Sequence, residues 1–504
     1  MTDPLLAALP ERLAAHVALA LTALAAGIAV ALPLGVWASR RPRVALSVGA
    51  VAGAVQTVPS LALLAFMVPL LAAMGLRAIG YLPALLALSL YSVLPVLRNT
   101  VAAMRALDPA VLEAADGVGM TPGQRLFRVE LPLAAPLVVA GVRTSVVWTV
   151  GSATLSTPVG ATSLGDYIFA GLQTSNHRSV LVGCVASALL ALALDAIVAL
   201  AERGFVRRRR AWIASALVAL LVIVAGASVT LARGRRASGR GAITIGAKTF
   251  TEQYILARVL SRQIQRRAGS EARVLDSLGS TVAFDALAAN QIDAYVDYTG
   301  TLWTTILHRA EIIRDRRRLR DELDRALRAR YGVRIVASLG FENTYAIAVR
   351  RSLATERRLR TITDLARESP SLSIAGDYEI FSRPEWRTIE QAYAPRFASQ
   401  RSMDPALLYD AARSGQVDAI TAFSTDGRIA TYDLVVCDDD RAVIPPYDAV
   451  VLVSARVARE RPDVVAALAA LERSIDAAAM RAANARVDAQ HEDPGRVAET
   501  LLRR

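Results

Sequence analysis

Cysteine and histidine are scarce in this chain. Its 504 residues include two cysteines and four histidines. Cys184 lies in an apolar run and Cys437 in a charged region, so we expect no disulfide framework. The histidines are too widely spaced to suggest a metal site, and no G-x-S-x-G nucleophile motif occurs. These absences argue against an enzyme, and we expect neither a metal nor a cofactor of its own.

Lysine is almost absent as well. Lys248 is the only lysine, although lysine and arginine together number 58 and the formal net charge is +13. Such an arginine bias is most simply an effect of codon composition, and much of the positive charge flanks apolar segments. The net charge therefore does not predict a nucleic-acid partner.

Long apolar stretches dominate the chain up to about Ala232. A bilayer core requires about 20 apolar residues per helix, and the sequence supplies six such stretches. Pro59 interrupts the second one, so its first part, from Val44, is expected to lie at the inner face. The predicted spans are 17–39, 58–75, 78–97, 137–159, 179–201 and 211–232. Residues 1–210 would form a transmembrane domain, and 211–241 a sixth span and polar linker before a domain at 242–504.

Arginines cluster after the first, third and fifth spans. The positive-inside rule places these loops in the cytoplasm and the C-terminal domain outside. The first span is longer than the apolar core of a signal peptide and lacks an A-x-A site, so we do not expect its cleavage. The chain is therefore expected to be a multi-pass protein of the bacterial plasma (inner) membrane, in contact with lipid.

A motif of fixed spacing occupies the loop between the third and fourth spans. Glu113-Ala-Ala-Asp-Gly-Val-Gly119 is followed, after nine residues, by Val129-Glu-Leu-Pro132. The small residues permit close packing, and a glycine can end a helix in a left-handed conformation. This pattern resembles the EAA motif of binding-protein-dependent importer permeases. The resemblance implies a helix that inserts into a cleft of an ATPase, with Glu113, Ala114, Ala115 and Gly119 as coupling residues; an ordinary amphipathic loop helix is the alternative.

Three further segments resemble permeases for osmoprotectants such as glycine betaine, choline and carnitine: Thr57–Leu63, Tyr91–Thr100 and Gly165–Leu172. The sequence around Lys248 does not fit the G-x-x-x-x-G-K-[ST] phosphate loop of an ATPase. The resemblance implies an all-α six-helix membrane domain of the binding-protein-dependent permease type. It also implies a homodimer through that domain and a separate cytoplasmic subunit that binds and hydrolyses ATP.

The region from Ala242 onward alternates strand-like and helical segments, which predicts an α/β fold with mainly parallel strands. Four segments resemble osmoprotectant-type solute-binding proteins: Gly246–Gln253, Asp297–Thr301, Glu342–Val349 and Ser424–Gly427. That resemblance implies a two-lobed α/β periplasmic-binding-protein-like (type II) domain. The first lobe would comprise about 243–348 and 450–504, and the second about 349–449.

The ligand implied by this resemblance is a quaternary ammonium, which has no N–H and must be recognised by aromatic faces. Its carboxylate end, where present, needs cations or hydrogen-bond donors, and Lys248 is the expected partner. The alternative is a surface lysine among tyrosines that only fill the core. The predicted ligand-binding residues are Lys248, Thr249, Tyr298, Thr301, Asn343, Tyr345, Arg383, Tyr409 and Phe423.

Taken together, the resemblances imply a permease fused to its own solute-binding domain, importing a quaternary-ammonium osmoprotectant. Ergothioneine, a trimethylated histidine betaine, is the alternative solute because it shares the trimethylammonium and the carboxylate. A membrane-tethered ligand sensor is the alternative of another class. Its mark would be a cytoplasmic signalling domain, which is not recognised in this sequence.

Overall fold

The structure is a computed structural model that describes residues 4–174, 176–237, 242–309, 311, 313–378 and 380–503. The chain divides into two compact units. Met1–Ile168 and Arg178–Ser238 form the first, and Phe169–His177 and Gly239–Arg504 form the second.

The first unit is helical. The elements up to Ala237 are α1 (Pro4–Ala7), α2 (Leu9–Ser39), α3 (Pro42–Thr57), α4 (Ser60–Ala73), α5 (Tyr81–Arg105), α6 (Pro109–Gly117), α7 (Pro122–Arg125), a π-helical turn (Leu126–Glu130), α8 (Leu131–Ala153), a 3-10 segment (Thr154–Val159), α9 (Gly165–Gln173), α10 (His177–Val206) and α11 (Arg210–Ala237). Of these, α9 from Phe169 onward and the first residue of α10 belong to the second unit.

Among the described residues, five helices are long and apolar enough to cross a membrane, and a bent pair could supply a sixth crossing. The five are Leu9–Ser39, Tyr81–Arg105, Pro122–Val159, His177–Val206 and Arg210–Arg233. The helices are longer than the apolar stretches predicted from sequence, and their ends include polar residues.

The region of the predicted second span, 58–75, is bent in the structure. Helices α3 and α4 meet at 98°, because Val58 before Pro59 is extended, with ψ of 126°. Helix α4 has 14 residues, about 21 Å of helix, which is shorter than a bilayer core of about 30 Å. The break at Pro59 is where the sequence predicts it, and the bent pair is either one broken span or a re-entrant loop.

Small residues bring the long helices together. A Cβ on Gly27 of α2 would lie 1.7 Å from Ser92 Oγ of α5, and one on Gly35 would lie 2.7 Å from Thr100 Cβ. The two glycines are eight residues apart and share one face of α2. Close approach at small residues is a usual way to associate helices in a membrane.

Helix α11 continues to Ala237, so the first part of the predicted linker 233–241 is helical. Residues 238–241 lie outside the described residues.

The second unit contains two five-stranded sheets. Its strands are β1 (Ile243–Lys248), β2 (Ala272–Leu278), β3 (Ala294–Tyr298), β4 (Arg334–Glu342), β5 (Tyr345–Arg350), β6 (Ser373–Gly376), β7 (Ser399–Ser402), β8 (Ala419–Phe423), β9 (Leu434–Cys437) and β10 (Asp448–Val453). Its α-helices are α12 (Thr251–Ala268), α13 (Ser280–Ala288), α14 (Thr299–Thr301), α15 (Arg316–Tyr331), α16 (Arg351–Arg357), α17 (Ile362–Glu368), α18 (Pro384–Tyr393), α19 (Pro405–Arg413), α20 (Arg428–Thr431), α21 (Ala455–Glu460), α22 (Pro462–Ala469), α23 (Ala477–Asp488) and α24 (Pro494–Leu501). A π-helical turn (Leu302–Ile306) and two 3-10 turns (Ser369–Ser371 and Ile380–Ser382) complete it.

Each sheet is the centre of one lobe. The first has the order β2-β1-β3-β10-β4 and the second β7-β6-β8-β5-β9. In the first, β10 is antiparallel to β3 and β4; in the second, β5 is antiparallel to β8 and β9. The expectation of mainly parallel strands is therefore wrong. The remaining strand pairs are parallel, but in each sheet one strand beside a passage between the lobes, β10 or β5, is antiparallel to both of its neighbours.

The predicted lobe boundary also moves. Tyr345 to Ala348, assigned to the first lobe from sequence, belong to β5 and pair with β8 of the second sheet. The chain leaves the first lobe after β4 through Asn343 and Thr344, and it returns between β9 and β10. The two passages touch where Asn343 N donates to Tyr447 O at 3.0 Å. The two-lobed α/β fold class itself is confirmed.

Candidate functional site

A cavity opens between the two lobes. On the first lobe it is lined by Phe250–Glu252, which follow β1 and begin α12. On the second lobe it is lined by Tyr409 of α19 and by Phe423 and the turn after it. Asn484 and Asp488 of α23 complete one side. Residues from the carboxyl ends of β1 and β8 therefore meet here, which is where α/β sheets commonly bind ligands.

Aromatic rings form one part of the cavity. Phe250 stacks on Phe423, with ring centroids 5.8 Å apart and planes at 14°. Tyr345 lies 5.1 Å from Phe423, and Tyr298 lies 6.2 Å behind Phe250. The Arg428 guanidinium covers the Tyr409 ring at 4.0 Å. Rings from both lobes thus converge, and such faces attract cations.

Glu252 is the hydrogen-bonding centre of the cavity and is 2% exposed. Its Oε1 accepts from Tyr298 Oη at 2.5 Å and from Asn343 Nδ2 at 3.1 Å. Its Oε2 accepts from Thr425 Oγ1 at 2.5 Å and from Asn484 Nδ2 at 3.1 Å. Burial raises the pKa of Glu252, and these four hydrogen bonds oppose the rise. One carboxyl group thereby links both lobes, one passage between them and α23.

Carboxyl groups outnumber cations in the cavity lining. Besides Glu252 it contains Asp377, Asp426 and Asp488, but only one arginine, Arg428. Arg428 pairs with Asp426 at 2.8 Å, while Asp488 accepts from Thr251 Oγ1 at 2.5 Å. Burial, reinforced by Asp426, raises the pKa of Asp488 to about 7. Within the described part of the chain, no three His, Cys, Asp or Glu side chains form a group that could hold a metal ion. The excess of carboxyl groups makes the lining acidic.

Four of the nine residues predicted from sequence line the cavity: Asn343, Tyr345, Tyr409 and Phe423. Tyr298 lies behind the lining residues, where its hydroxyl donates a hydrogen bond to Glu252 and its ring stacks on Phe250. Thr249 is half-buried directly before Phe250 but is not part of the lining, and neither is Thr301, which is buried within α14.

The assignment of Lys248 to a ligand carboxylate is corrected. Its Nζ forms a buried ion pair with Asp297 Oδ1 inside the first lobe. The pair forms because β1 and β3 are neighbours in the sheet, and Asp297 is fully buried and also accepts from Tyr295 Oη at 2.5 Å. With its charge balanced there, Lys248 does not reach the cavity, whose own cation is Arg428.

Arg383 is also placed elsewhere, in a second contact between the lobes. Its Nε donates to Glu385 Oε2 at 3.2 Å, and its Nη2 donates to Thr305 Oγ1 of the first lobe at 3.0 Å. Glu385 in turn accepts from Thr304 Oγ1 at 2.9 Å and from Tyr447 Oη. We call these five side chains the interlobe cluster; they lie beside the cavity rather than in its lining.

Sequence reasoning missed several lining residues. Phe250 and Glu252 lie in the Gly246–Gln253 motif, in which the sequence favours Lys248 as the ligand contact instead. Arg428 directly follows another recognised motif. Asn484 and Asp488 are four residues apart on α23 and therefore share one helical face; this spacing of polar residues in an otherwise alanine-rich helix was the available signal.

The predicted coupling residues of the first unit lie on and after α6. Glu113 and Ala114 are exposed, whereas Ala115 is buried. Gly119 adopts a φ of +77°, which is the left-handed conformation expected for it. Asp108 caps the helix by accepting from Ala110 N at 2.9 Å. The exposed face of this short helix is available to another protein.

Ion pairs connect α6 to the end of α2. Arg125 binds Asp116 of α6 at 2.6 Å and Glu130 at 2.8 Å. Glu130, which is 3% exposed, also binds Arg40 at the end of α2 at 3.0 Å. Through Arg125 and Glu130, these ion pairs link α6 to the end of α2.

Comparison with known families assigns both units. Residues 241–504 match the family described as the substrate binding domain of ABC-type glycine betaine transport system. Residues 25–207 match the family described as the binding-protein-dependent transport system inner membrane component.

Individual relatives agree with this division. The chain is 29% identical over 466 residues to the ergothioneine transport permease/ergothioneine binding protein of Helicobacter pylori, covering 89% of this chain and 81% of that protein. It is 43% identical over 188 residues to the choline transport system permease protein of Bacillus subtilis, covering 37% and 84%. It is 32% identical over 276 residues to a glycine-betaine-binding protein of Pseudomonas aeruginosa, covering 52% and 87%.

Proposed function

Because the chain belongs to the family of substrate-binding domains of ABC-type glycine betaine transport systems, we propose that it imports a small quaternary-ammonium solute. Its membrane unit is the permease of the same importer. Solutes of the glycine betaine, choline and carnitine class are the first candidates.

One observation carries this proposal: aromatic faces and an excess of carboxyl groups line the same cavity. A trimethylammonium group cannot donate a hydrogen bond, but each aromatic face contributes about 0.5–2 kcal/mol to its binding when desolvated. Phe250 and Phe423, one from each lobe, both line the cavity and offer ring surface to such a group. Glu252 and Asp488 supply the negative potential that a cation requires.

Arg428 is the residue best suited to a solute carboxylate. Its Nε and Nη2 are held by Asp426 at 3.1 and 2.8 Å, whereas its Nη1 is buried and has no hydrogen-bond partner. A guanidinium with one free N–H group can donate a charge-assisted hydrogen bond to a carboxylate. Arg428 therefore takes the role that the sequence suggested for Lys248.

Binding to the purified full-length chain tests the proposal. Isothermal titration calorimetry with glycine betaine, choline, carnitine and ergothioneine should give saturable binding for at least one of them. Phe250→Leu and Phe423→Leu should each weaken that binding about tenfold. Phe397→Leu is the matched control, because Phe397 packs on Trp386 in the second lobe away from the cavity. Absence of binding by the whole panel would reject the proposed solute class.

Ergothioneine is the second candidate solute. The observation that favours it is the similarity to the Helicobacter pylori protein, which extends over 89% of this chain and thus through both units. Ergothioneine presents the same trimethylammonium and carboxylate to the aromatic faces and to Arg428.

The importer needs partners for which the first unit offers surfaces. A separate cytoplasmic ATP-binding subunit would bind the exposed face of α6 and hydrolyse ATP. Two copies of the chain would complete the transport pathway, since six crossings form half of it in this class of permease. The arginine-rich loops indicate that α6 faces the cytoplasm and that the solute-binding unit lies outside.

A further inference from the structure

Three buried polar atoms at the cavity lack hydrogen-bond partners. They are Asn343 Oδ1, Asn484 Oδ1 and Arg428 Nη1, on side chains that are 4%, 3% and 7% exposed. Across the described residues, six buried side-chain polar atoms are in this situation. Half of them therefore belong to residues lining one cavity, which points to a binding partner there.

The orientation of both amides is fixed by their surroundings. Asn343 Nδ2 and Asn484 Nδ2 each donate to the Glu252 carboxyl group at 3.1 Å. Asn484 Nδ2 also donates to the Thr425 carbonyl at 2.8 Å. Carboxylate and carbonyl oxygens accept hydrogen bonds, so the NH2 groups must face them. The unpaired atom of each amide is consequently its carbonyl oxygen, which accepts and cannot donate.

We propose that the imported solute carries N–H or O–H donors in addition to its quaternary ammonium, and that Asn343 and Asn484 accept them. Arg428 Nη1 donates to an acceptor of the same solute. Leaving two acceptors unpaired in a buried site is unfavourable, and a solute with donors removes that penalty when it binds. This inference rests on the proposed function and narrows its solute class.

The inference separates solutes that the aromatic faces alone would treat alike. Glycine betaine has no N–H or O–H donor. Choline and carnitine each have one hydroxyl, and ergothioneine has ring N–H groups. The structure thus favours the solutes with donors over glycine betaine.

Matched pairs of ligands test the inference on the purified full-length chain by titration calorimetry. Carnitine and 4-trimethylammoniobutyrate differ by one hydroxyl. Choline and n-propyltrimethylammonium differ by a hydroxyl in place of a methyl group. In at least one pair the hydroxyl compound should bind about 10- to 100-fold more tightly, or ergothioneine should bind that much more tightly than glycine betaine.

Protein variants then identify the acceptor. In Asn343→Leu or Asn484→Leu, the ratio of affinities within the discriminating pair should fall below about threefold. Gln263→Leu is the matched control and should keep the ratio, because Gln263 is a buried amide that donates to Ala467 O in the first-lobe core.

Each remaining outcome overturns a distinct statement. Equal affinities within both matched pairs and for ergothioneine and glycine betaine, with binding retained, overturn the inference and leave the proposed solute class in place. A ratio that survives in both asparagine variants overturns the assignment to these amides. Failure of every quaternary ammonium to bind overturns the proposed function together with the inference. The wild-type comparison decides the question even where a variant fails to fold.

Discussion

Asp488 is the lining carboxyl group whose charge should change near neutral pH. Burial and the nearby Asp426 raise its pKa to about 7, while Arg428 and Thr251 oppose the rise and Glu252 adds to it. Below that pH the group is protonated and neutral; above it the group is charged. We expect choline to bind about three- to tenfold more tightly at pH 8 than at pH 6.

Two variants test this pH dependence by calorimetry. Asp488→Asn should flatten the profile, whereas Asp433→Asn, which removes an exposed carboxyl outside the cavity, should retain it. A wild-type affinity that is constant from pH 6 to pH 8 would contradict the role of Asp488.

Lys248 is expected to matter for stability rather than for solute choice. Lys248→Met leaves Asp297 buried without its cation, and breaking such a pair costs about 3–5 kcal/mol. Chemical unfolding of the C-terminal unit in the purified chain should show this loss. The ratio of carnitine to choline affinity in the folded variant should stay as in the wild type; a selective loss of carnitine binding would restore the carboxylate role for Lys248.

At the scale of elements, the interlobe cluster connects the start of α18 to the first lobe. Glu385 accepts from Thr304 of the first lobe and from Tyr447 in the return passage. Because the proposed solute site lies between the lobes, contacts that favour the approach of the lobes should raise the apparent affinity for solute. Glu385→Gln should weaken all solutes by the same factor, about tenfold.

An equal loss of affinity for every solute distinguishes this indirect effect from direct contact between Glu385 and the solute. Glu390→Gln is the matched control, since Glu390 accepts from Trp386 within α18 and makes that contact inside the second lobe. Calorimetry with two solutes of different shape measures the factor. Unequal losses would indicate that the cluster itself touches the solute.

Helix α6 should couple ATP hydrolysis to transport without affecting solute binding. Ala114 is exposed on it, so Ala114→Trp should obstruct docking of an ATPase and reduce uptake by vesicles to background while the calorimetric affinity is unchanged. Val206→Trp enlarges an exposed residue at the end of α10 and should leave uptake intact. Uptake that continues without any ATP-binding subunit would refute the importer mechanism.

Sequence motifs located the cavity but not its charges. Asn343, Tyr345 and Phe423 could be predicted because each lies in or directly beside a short motif, and residues adjacent in sequence lie close together in the fold. The partner of Lys248 could not be predicted from sequence, because the pairing of Lys248 with Asp297 depends on β1 and β3 being adjacent in the sheet. Asn484 reaches Glu252 across 232 positions of sequence, so its role depends on how α23 packs. The lobe boundary failed for a similar reason: strand partners, not strand positions, decide which lobe contains β5.

For the whole molecule, the decisive expectation is that the solute-binding unit lies on the outer side of the membrane while α6 lies on the cytoplasmic side. The loops after the first, third and fifth predicted spans hold the arginine clusters, and such loops remain in the cytoplasm. Six crossings, with α3 and α4 counted as one, then return the chain to the outside before β1. A site-specific protease sequence inserted at residues 238–241 should be cut when protease is added to intact spheroplasts, releasing the C-terminal unit. The same sequence inserted at Arg207–Arg209, between α10 and α11, should be cut only after the membrane is permeabilised. The reverse pattern would place α6 outside, where no ATPase could reach it, and would overturn the proposed direction of transport as well as the topology.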